Sequence, residues 1–386
     1  MEYKPLGSMV KRKISYGIVQ PGRSVPNGIP VIKVNNLISG LNSPSELDTT
    51  ARQNETKYAR TRLHGGELII SVVGTIGKTA IIPESFAGCN LVRATALIDI
   101  EDTLLTKWVK YYIESPNGQS YIEKNLNTTV QPTLNIKSLV EMPIPLFEAT
   151  TIEKIVLFLS SLDEKIKVNK RINDNLLQQL HMLYSQLFCD SDMDTPLGDV
   201  VVTKSGGTPS RKHNEYYSNS LICWVKSKEL LGNYIYETEE HINDLAINKS
   251  SAKLLPEHSI LIAMYGATVG AYGIISKSMT CNQAVCALLC NEDYPYTYLF
   301  QIAHESQQRL INLAVGSAQQ NISQVLIKQL TIHSNLNAIQ KFHAVALPLH
   351  REIESLQAEN IRLLSLRDTL LPKLMSGEID VSAVQL

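Results

Sequence analysis

The sequence predicts an α+β protein. Two similar mixed α/β domains are separated by two long helices that form an antiparallel coiled coil, an internal duplication with pseudo-twofold symmetry. Two observations predict this. The first is a seam: Ile152, Ile155, Leu159, Leu162, Ile166, Asn169, Asn173, Leu176, Leu180, Leu183 and Leu187 recur at alternating steps of three and four, and no Gly or Pro interrupts them. The same phase returns in Ile339, Phe342, Ala346, Leu349, Ile353, Leu356, Asn360, Leu363, Arg367, Leu370 and Leu374. An apolar seam must be covered, so each helix is the expected partner of the other. The second observation is that the order of motifs before each helix repeats.

In the first half, Ile29–Val34 reads as a strand and Asn35-Asn36-Leu37 as the loop after it. Residues 40–62 are polar and poor in pattern. The run 67–73 reads as a buried strand ending at Gly74-Thr75-Ile76-Gly77-Lys78. Residues 80–82 and 94–98 read as strands, 104–113 as a helix and 128–136 as a polar loop. In the second half, residues 222–226 are the matching strand and Ser227–Leu230 the loop. The strand 259–264 ends at Gly266-Ala267-Thr268-Val269-Gly270, and 317–322 answers the polar loop. Cys281-Asn282 repeats Cys89-Asn90 at the offset of 192 that also relates Gly266 to Gly74. The expected boundaries are a first domain over 1–147, a spacer helix over 148–190, a second domain over 191–334 and a second helix with its tail over 335–386. Pro348 is expected to kink or break the second helix, with regular structure starting after it, and Pro372 threatens its end.

Composition places 386 residues, 44% hydrophobic and 19% charged, in the ordinary globular range. No apolar run reaches the roughly 18 residues of a membrane helix, and Met1–Pro5 lacks the basic-then-apolar order of a signal peptide. A cytoplasmic, prokaryotic location is expected, with no membrane partner. The six cysteines are irregularly spaced and read as small buried thiols. The net charge of -1 hides local excess: six bases and no acid from Lys4 to Lys33, and five bases against Glu215 alone from Lys204 to Lys228. Such clusters suit phosphate, although a solvated face explains either one equally well.

Catalytic motifs lead nowhere. Gly74–Thr79 lacks the first glycine of a P-loop, since position 72 is Val. Asp163-Glu164-Lys165 sits on the seam helix without a partner acid, and Asp293–Tyr296 lacks the second Pro of an amino-methyltransferase motif. The nine histidines show no metal-ligand spacing, and there is no Gly-x-Ser-x-Gly elbow. The chain is read as a binding and assembly protein without catalysis, metal or cofactor of its own. A duplicated binder suits a ligand with two similar half-sites, of which double-stranded DNA is the commonest. The 36 residues from Ile152 to Leu187 would reach about 54 Å at roughly 1.5 Å per residue, or about 16 base pairs.

Lys204–Leu230, Tyr16–Leu37, the two strand-Gly-x-x-Gly segments and Leu371–Gly377, together with the duplication, resemble the DNA-specificity subunit of type I restriction-modification systems over nearly the whole length. The resemblance implies that each domain is a target recognition domain reading one half of an interrupted DNA sequence. The helices would set the gap and dock two methyltransferase (M) subunits, which carry S-adenosylmethionine. Motor-nuclease (R) subunits would complete the complex. One departure is charge: residues 1–147 carry 16 bases and 12 acids, whereas residues 189–334 carry 10 and 14.

The residues expected to face DNA are Lys33, Asn35, Asn36, Thr75, Lys78, Arg93 and Gln131 in the first half. In the second they are Thr208, Arg211, Lys212, Lys226, Ser227, Lys228, Thr268, Gln319 and Gln320. Lys and Arg serve phosphate, amides serve adenine edges, and the glycine-bounded loops allow close backbone approach. The helix seam is expected at Ile152, Leu159, Ile166, Asn173, Leu180, Leu187, Ile353, Asn360, Leu363 and Leu370. Asn173 and Asn360 fall at equivalent heptad places, but the sequence leaves open whether they meet. The rival reading is a structural adaptor whose duplicated domains bind proteins and never touch DNA. An enzyme, a methyltransferase or nuclease, comes third.

Overall fold

In a computed structural model of the chain, the described residues are 2–127, 131–314 and 321–381. They form two compact units, residues 1–165 with 363–386, and residues 166–362. Each takes in one globular domain and part of both long helices, which run over Ala149–Phe188 and Leu336–Ser376.

The first unit is built on an antiparallel sheet in the order Arg12–Tyr16, Thr95–Asp99, Leu68–Ser71, Thr79–Ile81. Leu68–Ser71 is buried throughout, with three apolar residues before Ser71, because both its faces are covered. Leu68 and Ile70 pack with Trp108, Val109 and Ile113 of the helix Thr103–Glu114 and with Ile152 and Leu159 of the long helix. Ile69 faces the other way, onto Ile32, Phe86 and Leu91. Burying each such side chain contributes roughly 1.5–3 kcal/mol. Asp102 caps Thr103–Glu114 by accepting from the N–H groups of Leu104 and Leu105 at 2.7 and 3.1 Å. The Trp108 indole donates to the Pro145 carbonyl at 2.7 Å and so ties this helix to the strand Pro143–Leu146.

The second unit repeats the plan. Its main sheet runs Val202–Ser205, Val285–Leu289, Ile260–Ala263, Tyr272–Ile275, and adds a parallel edge strand, Tyr234–Ile235. Ile260 and Ile262 enter a core with Tyr298, Phe300 and Phe342, while Leu261 and Ala263 face Cys223, Val225 and Cys281. A three-stranded sheet accompanies each main sheet: Thr49–Thr50, Ile29–Ile32, Asn90–Leu91 in one unit and His241–Ile242, Ile222–Val225, Thr280–Cys281 in the other. In both, the central strand pairs parallel with a short strand, Asn90–Leu91 or Thr280–Cys281, so Leu91 is the structural counterpart of Cys281 and the Cys-Asn repeat expected from the sequence is out of register by two residues.

The structure corrects several local expectations. Asn35-Asn36-Leu37 is not a loop but part of a short helix, Val34–Ser39, because the Asn36 side chain accepts the Lys33 N–H at 2.8 Å. The second half does the same at Ser227–Glu229, where Glu229 accepts the Lys226 N–H at 2.7 Å. The polar stretch 40–62 holds a built element: Glu55 is 2% exposed and bonded to Arg62 at 2.6 and 2.8 Å and to Asn90 at 3.1 Å. The helices Pro116–Lys124 and Tyr296–Ala314 were not read from the sequence. The loop 128–136 holds the strand Thr133–Leu134 and the start of a helix at Ile136, with 128–130 outside the described residues. All six cysteines are free, but Cys189 is exposed and only four are fully buried.

Pro348 does not break the second helix, and Pro372 does not end it. Each removes one backbone donor, and the carbonyls left without it, on Ala344 and Asp368, belong to exposed residues that water can serve. The buried face, with Ile339, Phe342, Ala346 and Ile353, holds the helix straight through.

The seam itself is buried at Ile152, Leu159, Ile166, Asn173, Leu180, Ile353 and Asn360, and half-buried at Leu187, Leu363 and Leu370. Within the second unit the helices run antiparallel, as Phe188 meets Phe342 and Asn169 meets Asn360. Within the first, Asp163 pairs with Arg367 at 2.9 Å and Ile152, Ile155 and Leu159 share a core with Leu371, Leu374 and Met375. Asn360 thus faces Asn169, not Asn173. The Asn169 amide donates to Glu359 at 2.7 Å and to Asn360 at 3.0 Å, and the buried Oδ1 atoms of both Asn169 and Asn173 have no hydrogen-bond partner.

Two predictions follow from this packing. Asn173→Leu should stabilise the chain against urea by about 1 kcal/mol, since it removes an unsatisfied acceptor, while Asn169→Leu, which also removes two made hydrogen bonds and strands the Asn360 carbonyl, should destabilise it by about 1 kcal/mol. Equal signs would refute the register. The second concerns acid. Burial holds the imidazoles of His304, His333, His343 and His350 below the ordinary histidine range, His350 at about 3. His350 packs among Tyr234, Tyr296 and Phe300. The unfolded chain takes up these protons first, near pH 6.5, so stability is full above that pH and falls as pH drops toward 5, by up to about 1.4 kcal/mol per pH unit per histidine. Urea midpoints at pH 7 and 5.5 test this, and His350→Phe should flatten the dependence.

Candidate nucleic-acid interface

Strand direction gathers the predicted residues of the first unit at one end of its sheet. Ser71 ends its strand opposite Thr95, which begins the neighbouring one, and Tyr16 ends a third opposite Ala96. Whatever follows Ser71 and Tyr16, or precedes Thr95, therefore lies together. That set includes Thr75 and Lys78, in the loop after Ser71, and Arg93. The loop is tied by the Ser71 hydroxyl, which donates to the Thr75 carbonyl at 2.5 Å and accepts the Lys78 N–H at 2.9 Å. Gly74 and Gly77 adopt φ of 78° and 84°, so this turn needs glycine. Val73 bridges to Thr133, which brings in Gln131. Lys33, Asn35 and Asn36 follow Ile32, whose carbonyl accepts from Val92, beside Arg93.

The backbone comes unusually close at this end. A Cβ on Gly17 would stand 2.3 Å from the Leu91 carbonyl, and one on Gly206 in the second unit 2.3 Å from that of Cys281. Neither position tolerates a side chain, and the same glycine serves the same crossing in both units.

In the second unit the loop Gly206–Thr208, the turn Lys226-Ser227-Lys228 and the loop Gly266–Thr268 meet in the same way. Gly207 donates to Cys281, Asn282 to Val225, and Tyr265 bridges to Asn321. The Trp224 indole donates to the Gly207 carbonyl at 3.0 Å and the Tyr217 hydroxyl to that of Pro209 at 2.6 Å, which lays the loop over both rings. Thr208 bonds Gln283, and Thr268 bonds the Tyr265 carbonyl at 3.2 Å. Gln319 and Gln320 lie outside the described residues.

The two ends differ in charge state. The side chains of Lys78 and Arg93 are exposed and, among the described residues, without an ion pair, while Lys33 reaches Asp48 at 2.5 Å. In the second unit, Arg211 and Lys226 both bond Glu240, and Lys228 bonds Glu239 at 2.6 Å. Hydrogen bonds from Lys226 and, against some burial, Arg211 hold the Glu240 carboxyl below its usual range. Burial opposes the charge of Glu237, but bonds from Cys223 and His241 outweigh it and bring that carboxyl to about 2. Arg211 also lies over the Tyr217 ring at 4.3 Å and the Trp224 ring at 5.5 Å. Of the predicted cations here, Lys212 has no ion pair among the described residues.

Some features went unread in the sequence. Tyr16, Lys13 and Arg60 line a cleft of about 520 Å³ on the first unit. Tyr265 is 41% exposed at the tip of the second unit's loop. Position next to a glycine turn was the available signal for Tyr265; nothing local marked Arg60.

Among the described residues, no helix is long and apolar enough to cross a membrane. The profile of the family described as "Type I restriction modification DNA specificity domain" matches twice, over residues 16–178 and 192–358. The MjaIX specificity subunit of a type I restriction enzyme from Methanocaldococcus jannaschii is 24% identical over 309 residues, covering 73% of this chain and 71% of that protein. The EcoBI specificity subunit from Escherichia coli is 24% identical over 178 residues, 44% of this chain but 37% of that longer protein. In fold, the chain is similar to the crystal structure of a type I restriction-modification S subunit from M. genitalium, with a TM-score of 0.58 at 15% identity over 96% of this chain and 95% of that one. Two family matches, one per half, cover most of the sequence, and the chain belongs to the type I restriction modification DNA specificity family.

Proposed function

We propose that this chain is the DNA-reading subunit of a type I restriction-modification complex, with each sheet end reading one half of an interrupted target. The supporting observation is that both units bring glycine-bounded loops and cations to the corresponding end of their main sheets. Family membership supports the reading as well. The chain contributes recognition; chemistry belongs to its partners. Two methyltransferase subunits carrying S-adenosylmethionine dock on the long helices, and motor-nuclease subunits join them. The helices set the separation of the half-sites.

The charge difference gives the two ends different tasks. Lys78 and Arg93 meet phosphate at once. Arg211, Lys226 and Lys228 must exchange a carboxylate for a phosphate, so the second end engages more weakly and is more selective about geometry. Arg211, held over the Tyr217 ring and near that of Trp224, offers a guanidinium that can contact phosphate in two places.

Two outcomes test this. In the assembled complex, Lys78→Ala with Arg93→Ala should weaken binding on all DNA about equally and lower the salt slope by roughly one to two. Lys226→Ala with Lys228→Ala should change it less, since Glu239 and Glu240 already neutralise those cations. A larger effect from the second pair would overturn the assignment. Single-molecule methylome sequencing of a host with the M subunit, with and without this chain, should give an adenine-methylated motif of two blocks and a fixed gap that vanishes on deletion. An unchanged methylome with an assembled complex would favour the adaptor reading.

A further inference from the structure

The fold brings histidines to carboxylates that are far away in sequence. Among the described residues, three groups place their donor atoms within 4.8 Å of one another: His181 with His304 and Glu305, Cys223 with Glu237 and His241, and Glu257 with His258 and Glu354. In the first the two rings stack at 3.8 Å and each uses Nδ1 in a hydrogen bond, and in the second both other donors bond the one carboxylate. His181 Nδ1 bonds Gln301 and His304 Nδ1 bonds Tyr272, and both Cys223 and His241 bond Glu237.

The third group differs. His258 Nε2 is buried and has no hydrogen-bond partner. The carboxylates of Glu257 and Glu354 lie 3.6 and 3.7 Å from it, too far for hydrogen bonds. That spacing suits a shared cation: with bonds of about 2.1 Å and an angle of about 120° at the metal, two ligand atoms stand about 3.6 Å apart. The ring is also held in place. His258 adopts φ of 62°, a left-handed conformation that is costly for a residue with a side chain. Its N–H donates to Ile275 at 2.9 Å, and its ring stacks on Tyr296 at 4.3 Å. On the other side, the Tyr236 hydroxyl donates to the Glu354 carbonyl at 2.5 Å and fixes that turn of the helix.

We propose that His258 Nε2 and the carboxylates of Glu257 and Glu354 bind one divalent transition-metal ion, zinc being the ion this nitrogen-and-oxygen set suits. Glu354 sits on the second long helix, and Glu257-His258 lead into the strand Ile260–Ala263. The ion cross-links that helix to the sheet inside the second unit, a structural role separate from DNA contact. A protonated His258 between two carboxylates is the competing occupant.

The test uses the full chain stripped with a chelator and titrated calorimetrically with zinc, with cobalt as the spectroscopic probe. One equivalent should bind, weakened at least tenfold by His258→Gln and by Glu354→Gln but not by His304→Gln or Cys223→Ser. Zinc should raise the Tm of the wild-type chain and leave that of His258→Gln unchanged. Bound cobalt should show d–d bands without thiolate charge transfer. If Glu354→Gln does not fold by circular dichroism, Glu257→Gln, at an exposed position, takes its place. No stoichiometric binding, equal binding by His258→Gln, or a thiolate band would overturn the site. So would a Tm loss in His258→Gln that is the same with and without zinc, the mark of a plain ion pair.

Discussion

The apolar seam of the long helices is the constraint on which the rest depends. A helix of 40 residues with a leucine or isoleucine every third or fourth position is not stable in water by itself. In each unit the seam is covered by an antiparallel segment of the other helix and by the domain core beside it. Each unit also has a polar pair in that cover, Asn169 with Asn360 in the second and Asp163 with Arg367 in the first. These polar pairs add little stability, but they distinguish one register from its neighbours: a slip would bury the Asp163 carboxylate or the Arg367 guanidinium without its partner.

Duplication acts at the level of hydrogen bonds. The crossing glycine, the capped turn after the central strand and a loop bounded by two glycines of positive φ recur in both units, although the loop is one residue longer in the second unit and Ala263 stands there in place of Ser71. What diverges is charge. The first end pairs Lys33 with Asp48 but leaves Lys78 and Arg93 to solvent, and the second pairs Arg211, Lys226 and Lys228 with Glu239 and Glu240. A recognition surface can gain discrimination this way, because a cation already neutralised rewards only a ligand placed well enough to displace its partner.

Backbone chemistry at the candidate site was legible in the sequence. Glycine turns, strand ends and the position of Lys78, Arg93 and Lys226 beside them were legible, because Gly and a period of two leave direct marks. The partners of those cations were not. Glu240 reaches Lys226 and Arg211 only because His241–Ile242 pairs with Ile222–Val225, and no local signal encodes that pairing. Likewise, Glu55 lies in a stretch that is polar and poor in pattern, and only the fold shows it buried and held by Arg62 and Asn90.

The sequence by itself determined the two-copy plan, the heptad phase of both helices and the buried strands, since periodicity and repetition are properties of the chain alone. The tertiary structure decided the register of the helices, the passage of Pro348 through an unbroken helix, and the state of each charge. Register turns on which asparagine finds a donor or acceptor opposite it. A proline in a helix turns on whether the carbonyl it strands faces water. The charge of a lysine turns on a carboxylate brought from another strand. All three depend on distances across the fold, which spacing along the chain does not contain.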